Sequence, residues 1–286
     1  MNTDPCIFVI VPLFDRFDNI PRLFDQLSAQ TYRNHRLILV DHGTKTLPSE
    51  MRIPRIIYLV GSSSNWWSGA VNIGLRYVLE TLKVPETDYV LLQNDDVRFG
   101  PELLEGLLIA QRKNARSVVG AITLQYGTKQ ILDAHNSLNY WQGKHVSPLK
   151  GKMLNAAVNR TLRSDVLKGR GVLYPVHAVR AIGYTDERLH YRADTEWSFR
   201  ARRAGYELFV TPNVVVETVQ DSQEGARRRK GIKYFNDYVF SKRSTQNLYA
   251  AWVYFKDCFG PVACLWPFMV HALRTVIFGL FFAIKG

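Results

Sequence analysis

The chain has 286 residues, of which 47% are hydrophobic and 12% aromatic, which supplies a packed core and excludes a disordered or low-complexity chain. Lysine and arginine number 37 against 25 acidic residues, a net charge of +12, so the expected partners are anionic: nucleic acid, a membrane surface or a phosphorylated substrate. Three cysteines (Cys6, Cys258, Cys264) are odd in number and share no metal-ligand spacing, and strand-like sequence starts near Ile7 without a secretory signal before it, so a cytoplasmic setting is expected.

Ile7 to Phe14 is a continuous apolar run that includes Pro12, the profile of a buried parallel strand. After the loop Asp15 to Asn19, either Asp18 or Asn19 is placed to cap a helix with Pro21 in its first turn and Ile20, Leu23, Phe24 and Leu27 on one face. Arg36 to Val40 and Arg55 to Val60 read as further strands, the first closed by Asp41-His42-Gly43-Thr44. This alternation with short loops predicts a mostly parallel, Rossmann-like sheet. Gly61 to Gly69 is expected to be a loop. Its adjacent Trp66 and Trp67 are either a plug beneath the loop or a platform for a sugar or base. Ala70 to Leu82 is predicted to be helical, with Val71, Leu75, Val78 and Leu79 toward the sheet.

The apolar strand Tyr89 to Leu92 then breaks into Asn94-Asp95-Asp96. Two acids at the end of a core strand repel each other and lose hydration, so they need a cation or donors nearby. Open α/β sheets bind ligands at the carboxyl ends of their strands. A metal and phosphate site and a simple cap for the next helix are both consistent with this fragment. A helix from Pro101 to about Arg112 and a strand from Ser117 to Leu124 follow. Residues 125–165 lack a clear period, suggest a hairpin within Ser137 to Val146, and are expected to shape an acceptor pocket. Gly169-Arg170-Gly171 leads into a short helix, Val176 to Ile182. Asp194 stands where another helix begins, Gly205 ends that helix, and strands are expected at Tyr206 to Val210 and Asn213 to Val216. A carboxylate at a helix start is a cap, and one that stays ionised and fixed in direction also suits a general base.

Residues 1–225 are expected to form the catalytic domain and 226–286 a basic, aromatic helical region. From Cys258 to Ile284 the chain is strongly apolar, but His271 and Arg274 interrupt it and leave Thr275 to Ile284 as the unbroken run. A spanning helix needs ~20 apolar residues, so an in-plane helix is expected, with Lys242, Arg243, Lys256, Arg274 and Lys285 toward anionic lipid. The alternative is a terminal helix packed on its own domain or on a second copy in a homodimer. The densest basic run, Arg227 to Lys230 with Lys233, lies just before this tail, and no nucleic-acid motif or aromatic-basic interleaving occurs. A membrane surface is therefore expected rather than nucleic acid.

Taken together, Val11-Pro12 with Arg16, Val40 to Thr44, Asn65 to Gly74, Asn94-Asp95-Asp96, Gly169-Arg170-Gly171 and His190 to Glu196 resemble, in order and spacing, a family 2 glycosyltransferase with the GT-A fold. The likeness is greatest to bacterial rhamnosyltransferase-like enzymes of surface polysaccharide synthesis. The resemblance covers roughly residues 7–217. It implies an inverting transfer from a nucleotide-diphosphate sugar, with dTDP-rhamnose preferred over a UDP-sugar, to a lipid-linked or oligosaccharide acceptor on the inner face of the cytoplasmic membrane. By the same likeness Asp194 is the catalytic base, Asp96 binds Mg²⁺ or Mn²⁺, and Asp95 meets the ribose or sugar. The implied donor pocket is Pro12, Phe14, Arg16, Asp41, Gly43, Trp66, Trp67, Gly69, Asn72 and Asn94, with Arg170 and His190 near the diphosphate or acceptor. Four positions depart from the pattern: His42 for an acid or amide, Val71 for arginine, Ala193 for the acid before the base, and Glu217 near a metal-binding histidine of some relatives. A non-catalytic nucleotide-sugar or glycan-binding module recruited to membranes is the other reading.

Overall fold

A computed structural model describes residues 4–49, 52–155, 158, 160–218 and 231–285. The centre is a ten-stranded mixed sheet. Its N-terminal half comprises β1 (Ile7–Leu13), β2 (His35–Asp41), β3 (Ile56–Val60) and β4 (Tyr89–Leu92), all parallel, in spatial order β3-β2-β1-β4. The helices α1 (Asn19–Ser28) and α2 (Trp66–Arg76, continued by a wider turn to Thr81) make the crossovers. Alternation along β1 explains both layers: Phe8 and Ile10 face one apolar core with α2, while Ile7, Val9, Val11 and Leu13 face a second one with α1 and α3 (Leu103–Arg112).

Beyond β4 the sheet changes character. Strand β11 (Val172–Pro175) runs antiparallel to both β4 and β6 (Ser117–Gln125), and β12 (Glu207–Thr218) lies parallel to β6. The edge is closed by β10 (Leu162–Arg163), while the short β5 (Arg98–Phe99) and β7 (Ile131–Asp133) pair with β12 and β6. The expected hairpin is present as β8 (Ser137–Asn139) and β9 (Lys144–Val146). Helix α4 (Val176–Ile182) and helix α5 (Ala193–Arg203) occupy their expected places.

Three expectations are corrected. Trp66 and Trp67 do not lie in a loop but open α2, preceded by one tight turn at Ser63–Asn65. The two strands expected at 206–210 and 213–216 are one strand, β12, with an irregularity between Thr211 and Val215. The C-terminal apolar segment forms one continuous helix, α8 (Leu265–Lys285), after α6 (Gly231–Phe240) and α7 (Leu248–Phe259). At 21 residues α8 is long and apolar enough to cross a membrane by length and composition, so counting only the run after Arg274 understated it. His271 and Arg274 do not break it, because both are absorbed by the protein: His271 is 2% exposed, and Arg274 donates to the carbonyls of Gln142 (2.8 Å) and Gly143 (3.2 Å) in the hairpin. Arg274 is therefore not available to lipid. A third apolar cluster joins Ala193 and Phe199 of α5 to Tyr254, Phe255 and Cys258 of α7, so the C-terminal helices share a core with α5. The basic run 227–230 and the boundary at 225 lie outside the described residues.

Candidate active site

The site begins where two core strands part. The β1–β4 ladder ends at Ile10 and Leu92, whereas β1 continues along β2 through Pro12 and Val40 to Leu13 and Asp41. Pro12 has no N–H to offer a third strand, so a crevice opens at the point where the strand order reverses. Asp15 and Arg16 enter it from β1, and Asn94-Asp95-Asp96 enter it from β4.

The acid turn is held by cations and amides. Arg16 reaches Asp95 Oδ2 with Nε (3.0 Å) and Asp96 Oδ2 with a terminal nitrogen (3.3 Å). Asn19 donates to Asp95 Oδ2 (3.2 Å), and Arg22 to the Asp95 carbonyl (2.6 Å). Asn19 thus begins α1 but turns its amide to the acid turn instead of capping the helix. Asp95 is 2% exposed. Burial pushes its carboxyl up to about 6; the Arg16 guanidinium opposes the rise and Asp96 adds to it. Asp95, expected to meet the donor, is turned inward and partnered by Arg16 and Asn19. Asp96 has one oxygen, Oδ1, buried with no hydrogen-bond partner among the described residues. A buried anionic oxygen without a donor is costly, and a hard cation satisfies it.

Around Asp96 lies a cleft of ≈ 210 Å³ lined by Arg16, Asn19, Arg22, Asp96, Arg98, Tyr126, Glu217 and Thr218. The pairing of β5 with β12 puts Arg98 opposite Glu217, and the Arg98 guanidinium lies 4.1 Å over the Tyr126 ring. Three guanidiniums with two carboxylates suit an oligophosphate whose charge is shared between arginines and a divalent cation. Arg22, Arg98 and Tyr126 were not legible in the sequence. Arg98 follows Asp96 by two positions, but its neighbours in the cleft come from α1, the β6 end and β12. Among the described residues no group of three or more His, Cys, Asp or Glu could hold a metal alone. A Mg²⁺-like ion needs fewer, since it is commonly held by one or two carboxylates plus substrate phosphates and water; Asp96, with its unpartnered oxygen, and Glu217 in the same cleft fit that role.

On the other flank, Asp15, at φ 55, accepts from the backbone N–H of Thr44 (2.8 Å) and Lys45 (2.9 Å). A Cβ at Gly43 would stand 2.2 Å from Asp15 Oδ1, so glycine is what lets the two loops interlock. Asp41 accepts from Gly43 N–H (3.1 Å). His42 is 7% exposed and packs on Phe14 with ring centroids 5.3 Å apart, its Nδ1 without a partner among the described residues. Burial holds this imidazole below its ordinary pKa, so it is neutral near pH 7. Phe14, Arg16, Asp41 and Gly43 thus gather at one rim, with Pro12 buried beneath.

The third wall carries Asp194. Trp67 donates from Nε1 to Asn94 Oδ1 (2.9 Å). Its ring also lies against Gly169, where a Cβ would come within 2.7 Å of the indole. Gly169 N–H in turn donates to Asp194 Oδ2 (2.9 Å), and Thr195 N–H to Oδ1 (2.8 Å). One indole therefore spans from the acid turn to the glycine that holds Asp194. Trp66, at φ 53, packs on His190 with centroids 4.3 Å apart and the rings tilted by 39°. Arg170 is half-exposed beside Gly169 and makes no ion pair among the described residues.

Two other residues have structural work. Asn72, expected in the donor pocket, is 1% exposed and clasps the loop before α5, donating to the Thr185 carbonyl (2.9 Å) and Glu187 (2.8 Å) while accepting from Thr185 N–H (2.8 Å). Gly69 packs on Asn65, where a Cβ would stand 3.0 Å from the Asn65 Cβ. Glu196, two residues past Asp194, is 2% exposed and paired with Arg200 (2.8 Å), which leaves Asp194 as the accessible acid of this turn.

The family profile described as Glycosyl transferase family 2 matches residues 8–172. An uncharacterized glycosyltransferase of Rickettsia bellii is 21% identical over 78% of this chain and 31% of its own length. One from Rickettsia typhi is 22% identical over 77% of this chain and 65% of its own. The chain thus spans from about a third to two-thirds of these relatives. Among solved structures, GalNAc-T7 with UDP, GalNAc and Mn²⁺ superposes with a TM-score of 0.58 at 12% identity over 77% of this chain and 45% of that one. TarS of S. aureus gives 0.56 at 13% identity over 96% and 53%. Both likenesses concern the fold, which is the mixed α/β GT-A arrangement. With the family profile covering more than half of its length, this chain belongs to glycosyl transferase family 2.

Proposed function

We propose that this protein is an inverting glycosyltransferase that moves a sugar from a nucleotide-diphosphate donor to a lipid-linked glycan at a membrane face. The observation that carries it is the Trp67 bridge: one side chain is hydrogen-bonded to the acid turn and packed against the glycine that orients Asp194. The donor diphosphate would occupy the cleft of Arg16, Arg22 and Arg98, and the base the rim of Phe14, Asp41 and His42. Asp96 and Glu217 would hold Mg²⁺ or Mn²⁺, which when bound neutralises charge on the leaving diphosphate. The fold neighbour GalNAc-T7 was solved with UDP and Mn²⁺, which supports that choice.

In the reaction the acceptor hydroxyl oxygen bonds to the anomeric carbon as the bond to the diphosphate oxygen breaks, and the electron pair leaves with the diphosphate. The carbon passes through an oxocarbenium-like state, and the acceptor proton goes to Asp194, whose two N–H donors fix its direction. One carboxylate opposite the leaving group gives a single displacement and hence inversion. Trp66 and His190 flank the acceptor entrance.

Membrane attachment falls to α8. Its outward side presents Leu273, Ile277, Phe281 and Ile284, and exposed Lys242, Arg243 and Lys256 lie in the same C-terminal region, the composition of an in-plane helix on anionic lipid. Two tests separate the parts. A thermal-shift screen of dTDP-rhamnose and UDP-sugars with and without Mn²⁺ should show one donor stabilising the fold in a metal-dependent way; no shift from any of them counts against donor binding. Replacing Ile277 and Phe281 with aspartate should abolish co-sedimentation with phosphatidylglycerol vesicles while leaving the donor shift intact.

A further inference from the structure

Asp194 sits in a turn hung on Arg192. The Arg192 carbonyl accepts from Glu196 N–H (2.8 Å) and Thr195 Oγ1 (2.9 Å), closing the first turn of α5 around the aspartate. Arg192 itself is left-handed, φ 73, a conformation that costs a long side chain about 1 kcal/mol or more and persists only where the surroundings impose it.

Those surroundings are C-terminal. The guanidinium donates to the Thr245 carbonyl (3.3 Å), lies 5.6 Å over the Tyr254 ring of α7, and approaches His271 Nε2 of α8 (3.4 Å). Arg274 approaches the other nitrogen of the same imidazole (3.1 Å), and His145 of the hairpin meets the Tyr254 hydroxyl (2.7 Å). Among the described residues no carboxylate pairs with Arg192 or Arg274. Burial holds both His271 and His145 down to about 3, so they are neutral and His271 has one nitrogen free to accept. Nothing here neutralises charge; the contacts fix direction. A cation over a ring, a carbonyl and an imidazole together clamp one guanidinium.

We infer that Arg192 is a positioning residue for Asp194, and that α7 and α8 complete the active site by clamping its side chain. The inference rests on Asp194 being the base. It also means that the membrane-facing helix and the catalytic turn share one set of contacts, so a tail that shifts on its support would be felt at Asp194.

The test uses the full-length protein and donor hydrolysis in Mn²⁺, with dTDP-rhamnose or the UDP-sugar that the thermal-shift screen selects. Arg192→Gly accepts the left-handed backbone but removes the clamp. It should lower kcat about tenfold or more and leave the donor KM unchanged. Arg192→Lys, which keeps a cation over Tyr254, should recover a large part of the loss. His271→Gln keeps an acceptor for Arg192 and should retain kcat, while His271→Leu should lower it. If Asp194→Asn abolishes hydrolysis but Arg192→Gly and His271→Leu keep wild-type kcat, the positioning role is wrong and the base assignment stands. If Asp194→Asn hydrolyses donor at the wild-type rate, the base assignment falls first. Should Arg192→Gly fail to fold, the His271 pair decides alone. Equal kcat for glutamine and leucine overturns the inference, as does a loss confined to KM.

Discussion

Two acid-bearing turns face the same crevice and are built in opposite ways. Asn94-Asp95-Asp96 is held by charged side chains: Arg16 on both carboxylates and Arg22 on the backbone. Asp194 is held by two neutral backbone N–H groups and by packing through Gly169 and Trp67. A turn wrapped in guanidiniums suits exchange of ionic partners, because an incoming metal competes with Arg16 for the carboxylates while a phosphate competes with the carboxylates for Arg16. A carboxylate fixed by neutral donors keeps lone pairs for a proton and does not have to leave a salt bridge first. Under the proposed function, the contrast suits the first turn to cation chemistry and the second to proton chemistry.

Four residues distinguish the two turns experimentally. Asp194→Asn matches the side chain in size but cannot take a proton and keeps only one of the two oxygens that accept from backbone N–H, so kcat should fall by about 10²–10⁴ with the donor's thermal shift retained; a lost shift with normal turnover would reverse the two assignments. Asp96→Ala should remove the Mn²⁺-dependent part of the donor shift and most of the turnover, read by repeating the melt with EDTA. Asp95 tests the inward carboxyl. Its folded pKa, about 6, stands above the ordinary 3.8, so the fold binds that proton more tightly than the unfolded chain does. Its contribution to stability is therefore fully present below about pH 4 and declines as pH rises through about 6. Wild type should lose melting temperature relative to Asp95→Asn across that window; parallel curves would show that Asp95 does not titrate there. Trp67→Phe keeps the ring against Gly169 but loses the bond to Asn94, about 1 kcal/mol, and should lower turnover only several-fold.

Much of the site was legible because strand ends announce themselves. A buried apolar run that stops at an acid marks both a strand terminus and a crevice wall, and this located Asp41 and Asp95-Asp96. The start of α5 at Ala193 was likewise visible in Asp194 and Gly205. What each acid touches was not visible. Asp95 and Asp96 are adjacent and chemically alike, yet one is turned into Arg16 and Asn19 while the other keeps a bare oxygen. That choice depends on where α1 packs. Asn72 lies in the stretch Asn65 to Gly74 that carries the family resemblance, but its amide goes to Thr185 because the loop before α5 folds over α2.

The apolar tail shows the same division. Its hydrophobicity could be read directly, but its continuity could not, since a histidine and an arginine break an apolar run only when nothing receives them. Here the hairpin carbonyls receive Arg274, and His271 is buried between Arg192 and Phe255. By itself the sequence determined the parallel strands of the N-terminal half, the family and the acids able to do chemistry, since period, charge and spacing are local properties of the chain. Tertiary structure alone decided which acid is spoken for by a guanidinium, that Arg22, Arg98 and Glu217 share one cleft, and that the last helix reaches the turn that carries Asp194. Those are contacts between distant segments, and their energies depend on burial and geometry that no local pattern encodes.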